Sequence, residues 1–174
     1  MQDFTVPVAH LLGHPGEHKD IEASGALPGV GTSLAHVTEE PVKATLRLES
    51  VVEGILVTGE VHAQALIECS RCLERMISGV DMRVVELFVA PGHEEAADED
   101  AYRISGSEIE LEPMIRDAIG LDLPLNPLCD ESCKGLCPRC GHNLNAEACT
   151  CVEDEVDPRW APLADLRERL ASES

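Results

Sequence analysis

Eight cysteines are the residues of this chain best suited to chemistry, and they come as short-spaced pairs: CSRC at 69–72, C-x-x-x-C at 129–133, CPRC at 137–140 and CTC at 149–151. A CxxC turn puts two thiolates side by side with backbone N–H groups directed at sulfur, the arrangement zinc takes from protein knuckles. In a reducing compartment an even set of such pairs points to metal rather than to disulfides. CPRCG carries the sharpest signal, because the Gly after its second cysteine permits the positive φ that a metal knuckle uses. Its partner pair is expected to be Cys149 and Cys151, giving a first site of Cys137, Cys140, Cys149 and Cys151. Cys69, Cys72, Cys129 and Cys133 would make a second, with two zinc ions per chain, or one if the second set is not a site.

Spacing leaves alternatives open. The CTC pair is sterically tight, so His142 could replace one of its thiolates. Cys129 and Cys133 could join Cys137 and Cys140, leaving CSRC to meet CTC, or they could be packed, inert thiols. Iron also accepts four thiolates. An all-cysteine set leaves no open position for water, so the expected role is structural and not catalytic. Arg71, Arg75, Lys134 and Arg139 sit beside the cysteines and would soften the charge of a tetrathiolate zinc. His14, His18 and His62 read as surface histidines. No Ser-His-Asp cue, HExxH, GxGxxG or GxxxxGK[ST] motif is present.

Something must hold these pairs, and the periodicity indicates what. Val42, Ala44, Leu46 and Leu48 alternate with polar residues, as do Ile55, Val57, Val61, Ala63, Ala65 and Ile67, then Val80, Met82, Val84 and Phe88. Three such runs with short joins predict an antiparallel meander, with a hairpin turn near Glu53 and Gly54 and CSRC at the second strand end. A helix over 107–123, capped by Ser107 and with Pro113 in its first turn, is expected to cover the sheet. The fold class is therefore α+β, an antiparallel β-meander covered by a helix, with a C-terminal cysteine-rich zinc-binding segment. The expected divisions are an irregular, Gly- and Pro-rich arm at 1–40, the sheet and helix at 41–126 with an acidic loop at 93–108, the cysteine segment at 127–157, and an amphipathic helix at 158–174 with Leu163, Leu166 and Leu170 on one face.

At 174 residues the chain can bury a core without disulfides. No signal peptide and no membrane span are read, so a cytoplasmic protein is expected. The formal charge of −20 argues against wrapping a nucleic-acid backbone and favours a basic partner, with the carboxylates of 94–112 as an electrostatic guide.

The run LPLNPLCDESCKGLCPRCGHNLN, the closing CTC, the upstream ECSRCLE and the terminal DPRWAPLADL together resemble the YceD family of large ribosomal RNA subunit accumulation proteins. Cys69 and Cys72 match the CxxC shared across that family, and Cys133, Cys137 and Cys140 match its cysteine-rich form. The resemblance implies a non-enzymatic factor in large ribosomal subunit biogenesis, its partners being basic ribosomal proteins or an assembly intermediate, with no small-molecule substrate. In bacteria the family's gene commonly neighbours that of a small basic large-subunit ribosomal protein. Because some members lack the later cysteines, a structural purpose is implied for them. The alternatives are a thiol redox sensor that loses zinc on oxidation, and direct RNA recognition by the knuckles, which lack the aromatic residues that stack on bases.

Overall fold

The structure is a computed structural model that describes residues 4–93, 101–151 and Leu163. Packing divides the chain into two compact units, Met1–Cys133 and Lys134–Ser174.

The first unit is built on β4 (Val42–Ser50), β5 (Gly54–Glu68) and β6 (Arg75–Val89). Strict alternation in β4 buries Val42, Ala44, Leu46 and Leu48 and turns Lys43, Thr45 and Arg47 outward. All the expected inward residues of β5 and β6 are buried as well. β5 and β6 pair without interruption from Gly54↔Val89 to Glu68↔Arg75, and the Cys69–Glu74 segment joins their far ends. The β4–β5 join is the expected turn, closed by the Val51 N–H on the Gly54 carbonyl at 2.9 Å. Gly59 has a steric reason: a Cβ there would run into the Thr45 carbonyl of β4.

Residues 1–40 are not the irregular arm expected. β1 (Thr5–Pro7), β2 (His18–Gly25) and β3 (Ala35–Val37) all fall within them. β2 pairs with β4 over its whole length, and β3 extends the line of β4 along the same edge of β5. The first unit's main sheet thus runs β2-β4-β5-β6, with β3 beside β4. The buried Ser50 hydroxyl donates to the Leu11 carbonyl at 2.6 Å, tying the β1–β2 connection to the end of β4.

The expected helix start is also corrected. Ser107 is not a cap, and Ile109 lies in β7 (Glu108–Glu110), which pairs antiparallel with β1. Helix α1 (Glu112–Asp122) begins after Leu111, with Pro113 in its first turn, where a missing N–H costs nothing. Glu112 favours the helix dipole there and accepts from Arg116 one turn on, at 2.8 Å. Met114, Ile115 and Ile119 are buried in the same hydrophobic cluster as the sheet's inner face, so the helix does cover the sheet.

Residues 94–100 of the expected acidic loop lie outside the described residues. So do 152–162 and 164–174, and with them the expected C-terminal helix apart from Leu163. Among the described residues no helix is long and apolar enough to cross a membrane.

Candidate metal centres

The CSRC segment is the tip of the β5–β6 hairpin. Cys69 accepts on its carbonyl from the Leu73 N–H at 2.9 Å and gives its own N–H to the Glu74 carbonyl at 2.9 Å, closing a tight turn. Leu73 takes a left-handed conformation, φ 60°. CPRC makes the same turn: the Gly141 N–H meets the Cys137 carbonyl at 2.9 Å, with Gly141 at φ 72°. One knuckle is therefore made twice, once with leucine and once with glycine at the left-handed position.

Each knuckle meets a second pair within its own unit. The sulfurs of Cys69, Cys72, Cys129 and Cys133 all lie within 4.8 Å of one another, and so do those of Cys137, Cys140, Cys149 and Cys151. The Ser70 N–H on the Pro127 carbonyl, at 2.8 Å, brings the chain before Cys129 to the hairpin tip. Arg71 reaches across to donate to the Cys133 carbonyl at 2.8 Å and the Glu131 carbonyl at 3.3 Å. In the second unit the Lys134 N–H donates to the Asn145 side chain at 2.7 Å, the Leu144 N–H to the Gly135 carbonyl at 2.9 Å, and the Cys137 N–H to the His142 carbonyl at 2.8 Å. His142 serves that turn with its backbone and is not in the sulfur group.

The distances fit a tetrahedral ion. Bonds of about 2.3 Å from zinc to four sulfurs require sulfur–sulfur edges of about 3.8 Å. The fold gives 3.8 Å for Cys69–Cys133, 3.5 Å for Cys72–Cys129, 3.4 Å for Cys140–Cys149 and 3.5 Å for Cys137–Cys149. A disulfide would need about 2.05 Å, and all eight cysteines are free.

The electrostatics lead to the same requirement. Burial raises the Cys69 thiol, but the backbone N–H groups of Cys72, Cys129 and Arg71 outweigh it and bring it down to about 6. The N–H groups of Cys140 and Arg139 bring Cys137 down to about 6 likewise. Cys129 is pushed up to about 12, first by Cys72 and Cys133, and Cys151 to about 12, first by Cys149 and Cys140. One sulfur of each quartet ionises readily and another resists strongly; a cation at the centre removes that conflict. Two clusters able to ligate a metal are therefore present, each with a complement that leaves no water position.

The backbone amides at the sulfurs and the Arg71 clamp are invisible to spacing, although the shared Arg of CSRC and CPRC hints at a repeated turn. The arginines were expected to soften sulfur charge. Arg71 directs its guanidinium at carbonyls, that of the ligand candidate Cys133 among them, and Arg75 pairs with Glu68 at 2.8 Å. His62 is exposed and pairs with Asp81 at 2.6 Å.

Residues 57–167 match a family described as large ribosomal RNA subunit accumulation protein YceD. An uncharacterized protein of Mycobacterium tuberculosis strain H37Rv is 38% identical over 168 residues, covering 94% of this chain and 81% of its own length. An Arabidopsis thaliana protein named large ribosomal RNA subunit accumulation protein YCED homolog 1, chloroplastic, is 41% identical over 157 residues, covering 74% of this chain and 46% of its own. A Zea mays protein of the same name is 49% identical over 56 residues, 32% of this chain and 19% of that one. No solved structure matches. The family's description names an accumulation role.

Proposed function

This chain belongs to the YceD family of large ribosomal RNA subunit accumulation proteins, and from that premise we propose that it is a cytoplasmic, non-enzymatic factor in which two zinc ions fix the fold and a basic ribosomal protein is the partner. The two sulfur quartets carry the metal part of the reading: Cys69, Cys72, Cys129 and Cys133 hold one zinc, Cys137, Cys140, Cys149 and Cys151 the other. The partner part is supported by charge. At −20 the protein repels an RNA backbone, whose binding requires lysine and arginine to displace condensed counterions. The same charge attracts a basic protein, which the factor would shield or deliver during assembly of the large subunit.

Two measurements test the parts separately. Metal analysis of the purified chain is expected to return two colourless zinc ions; one ion, or the colour of iron, would revise the metal assignment. Depleting the protein in its own cells is expected to lower large-subunit ribosomal RNA relative to small-subunit RNA. An unchanged ratio would remove the accumulation role. Steeply salt-dependent binding of the pure protein to a large-subunit RNA fragment, with no ribosomal protein present, would overturn the choice of partner.

A further inference from the structure

β6 is an edge strand, and the direction of its free groups can be read from its end. The Val89 N–H donates to the Tyr102 carbonyl at 2.8 Å, and the Val89 carbonyl accepts from the Ile104 N–H at 3.0 Å. Both main-chain groups of Val89 therefore point away from β5. The β5–β6 register runs unbroken, so every second residue back along the strand, including Val85, Arg83 and Asp81, points its N–H and carbonyl the same way. Among the described residues no strand pairs with that stretch of edge. A long open edge is a template for another chain.

A groove of about 400 Å³ lies along it. Residues 81–86 form one wall, six in succession. Inward Met82 and Val84 and outward Arg83 and Val85 all line it, so the groove follows the strand's edge and not one face, over roughly 20 Å of strand. Tyr102 and α1 form the other wall, where Leu121 is 89% exposed and Val85 opposite is 67% exposed. Asp81, Glu86, Asp117 and Asp122 stand on its walls against the single cation Arg83, which is already paired with Glu60 at 3.4 Å. The opposite sheet edge, β2, is also open among the described residues, but the groove on that side reaches the sheet face through β2 and β4 alone and has no helix wall.

We propose that this groove binds an extended, lysine- or arginine-rich segment of a partner protein, which adds to β6 as a further strand. Main-chain hydrogen bonds to Asp81, Arg83 and Val85 supply affinity. Alternate side chains of the guest meet the apolar surface of Val85 and Leu121, and its cations meet the carboxylates on the groove walls. The inference rests on the basic-partner reading and assigns its site.

The test uses the full zinc-loaded chain, labelled with 15N, titrated with a synthetic peptide alternating lysine with valine and threonine. Shifts confined to 81–86 and 114–122, and at least tenfold weaker binding by a peptide with glutamate in place of lysine, are expected. Val85→Pro removes an outward N–H that β5 does not use, so the sheet should survive while affinity falls at least tenfold. If Val85→Pro fails to fold, the surface variant Glu86→Lys with Asp122→Lys decides, with the same expected loss. Unchanged affinity in a folded variant, shifts mapping elsewhere, no peptide binding, or occupation of the groove by single-stranded RNA would each overturn the proposal. Binding of purified basic ribosomal proteins is measured on the same variants. If it persists undiminished, the groove is wrong and the partner reading stands; if the wild-type chain binds none of them, the partner reading itself fails.

Discussion

Cys69 and Cys137 occupy the same place in two copies of one turn, and both are the acidic sulfurs of their quartets. The pH dependence of metal binding follows from them. Their pKa values, about 6, lie below the ordinary thiol value of 9.0, so the thiolates' contribution to the fold is complete above 9.0 and is lost as the pH falls through 6. Zinc competes with protons for all four sulfurs of each quartet, so its affinity should weaken as the pH falls. At pH 7.5 the metal-free first unit, which keeps its fold, should give up fewer than four protons on binding its zinc, because Cys69 is already ionised. Calorimetry in buffers of different ionisation enthalpy counts them; four or more at that site would show that the amides do not acidify Cys69. Residue types and spacing picked out the cysteine pairs, since CxxC allows few geometries, but left open which pair meets which. They could not reveal the amides that set the charge, because those belong to the turn's backbone and carry no residue signature.

At the scale of elements, the hairpin tip carries a strained residue that the second knuckle avoids. Leu73 is left-handed and 55% exposed, so it bears the Cβ penalty of that conformation and gains little from burial. Leu73→Gly should therefore stabilise the first unit, by up to about 1 kcal/mol once glycine's extra chain entropy is deducted. Gly141→Ala should do the reverse in the second unit by a similar amount, since nothing lies within 4 Å of the added Cβ and only φ opposes it. Thermal unfolding of the first variant and chelator resistance of the second read the two effects; a destabilising Leu73→Gly or a stabilising Gly141→Ala would show that the knuckles are not equivalent. β4, β5 and β6 were legible because each has one buried face and alternates accordingly. β2 was not, because HKDIEASG is an edge strand only half buried along one face, with Ile21 its one large apolar residue. β1, β3 and β7 are three residues each, too short for any period to register. β7 runs straight into α1, so its Ile109 fell at helical spacing from residues that are truly helical.

Across the whole molecule the two units depend on metal to different degrees. The first unit holds the entire aliphatic cluster, from Phe4 to Leu123, and three of its four cysteines are buried. In the second unit Cys137 is the only buried apolar side chain among the described residues, while Cys140 and Cys151 are exposed. A segment with so little to bury cannot offset its conformational entropy without a cross-link, so its fold and its zinc should be lost together. The first unit has a core of its own and should outlive its metal. Chelation should accordingly proceed in two phases, the ion on Cys137, Cys140, Cys149 and Cys151 leaving at least tenfold faster because its sulfurs are open to attack. After the fast phase, hydrogen exchange should show residues 134–151 unprotected while β4, β5 and β6 keep their protection and the β-sheet circular dichroism is unchanged. Simultaneous release of both ions, or a second unit that stays protected without metal, would mean that something other than zinc holds it. Cys137→Ser isolates the same event: such a chain should carry one zinc and retain the sheet, whereas Cys69→Ser should lose the slow ion and leave the fast one in place.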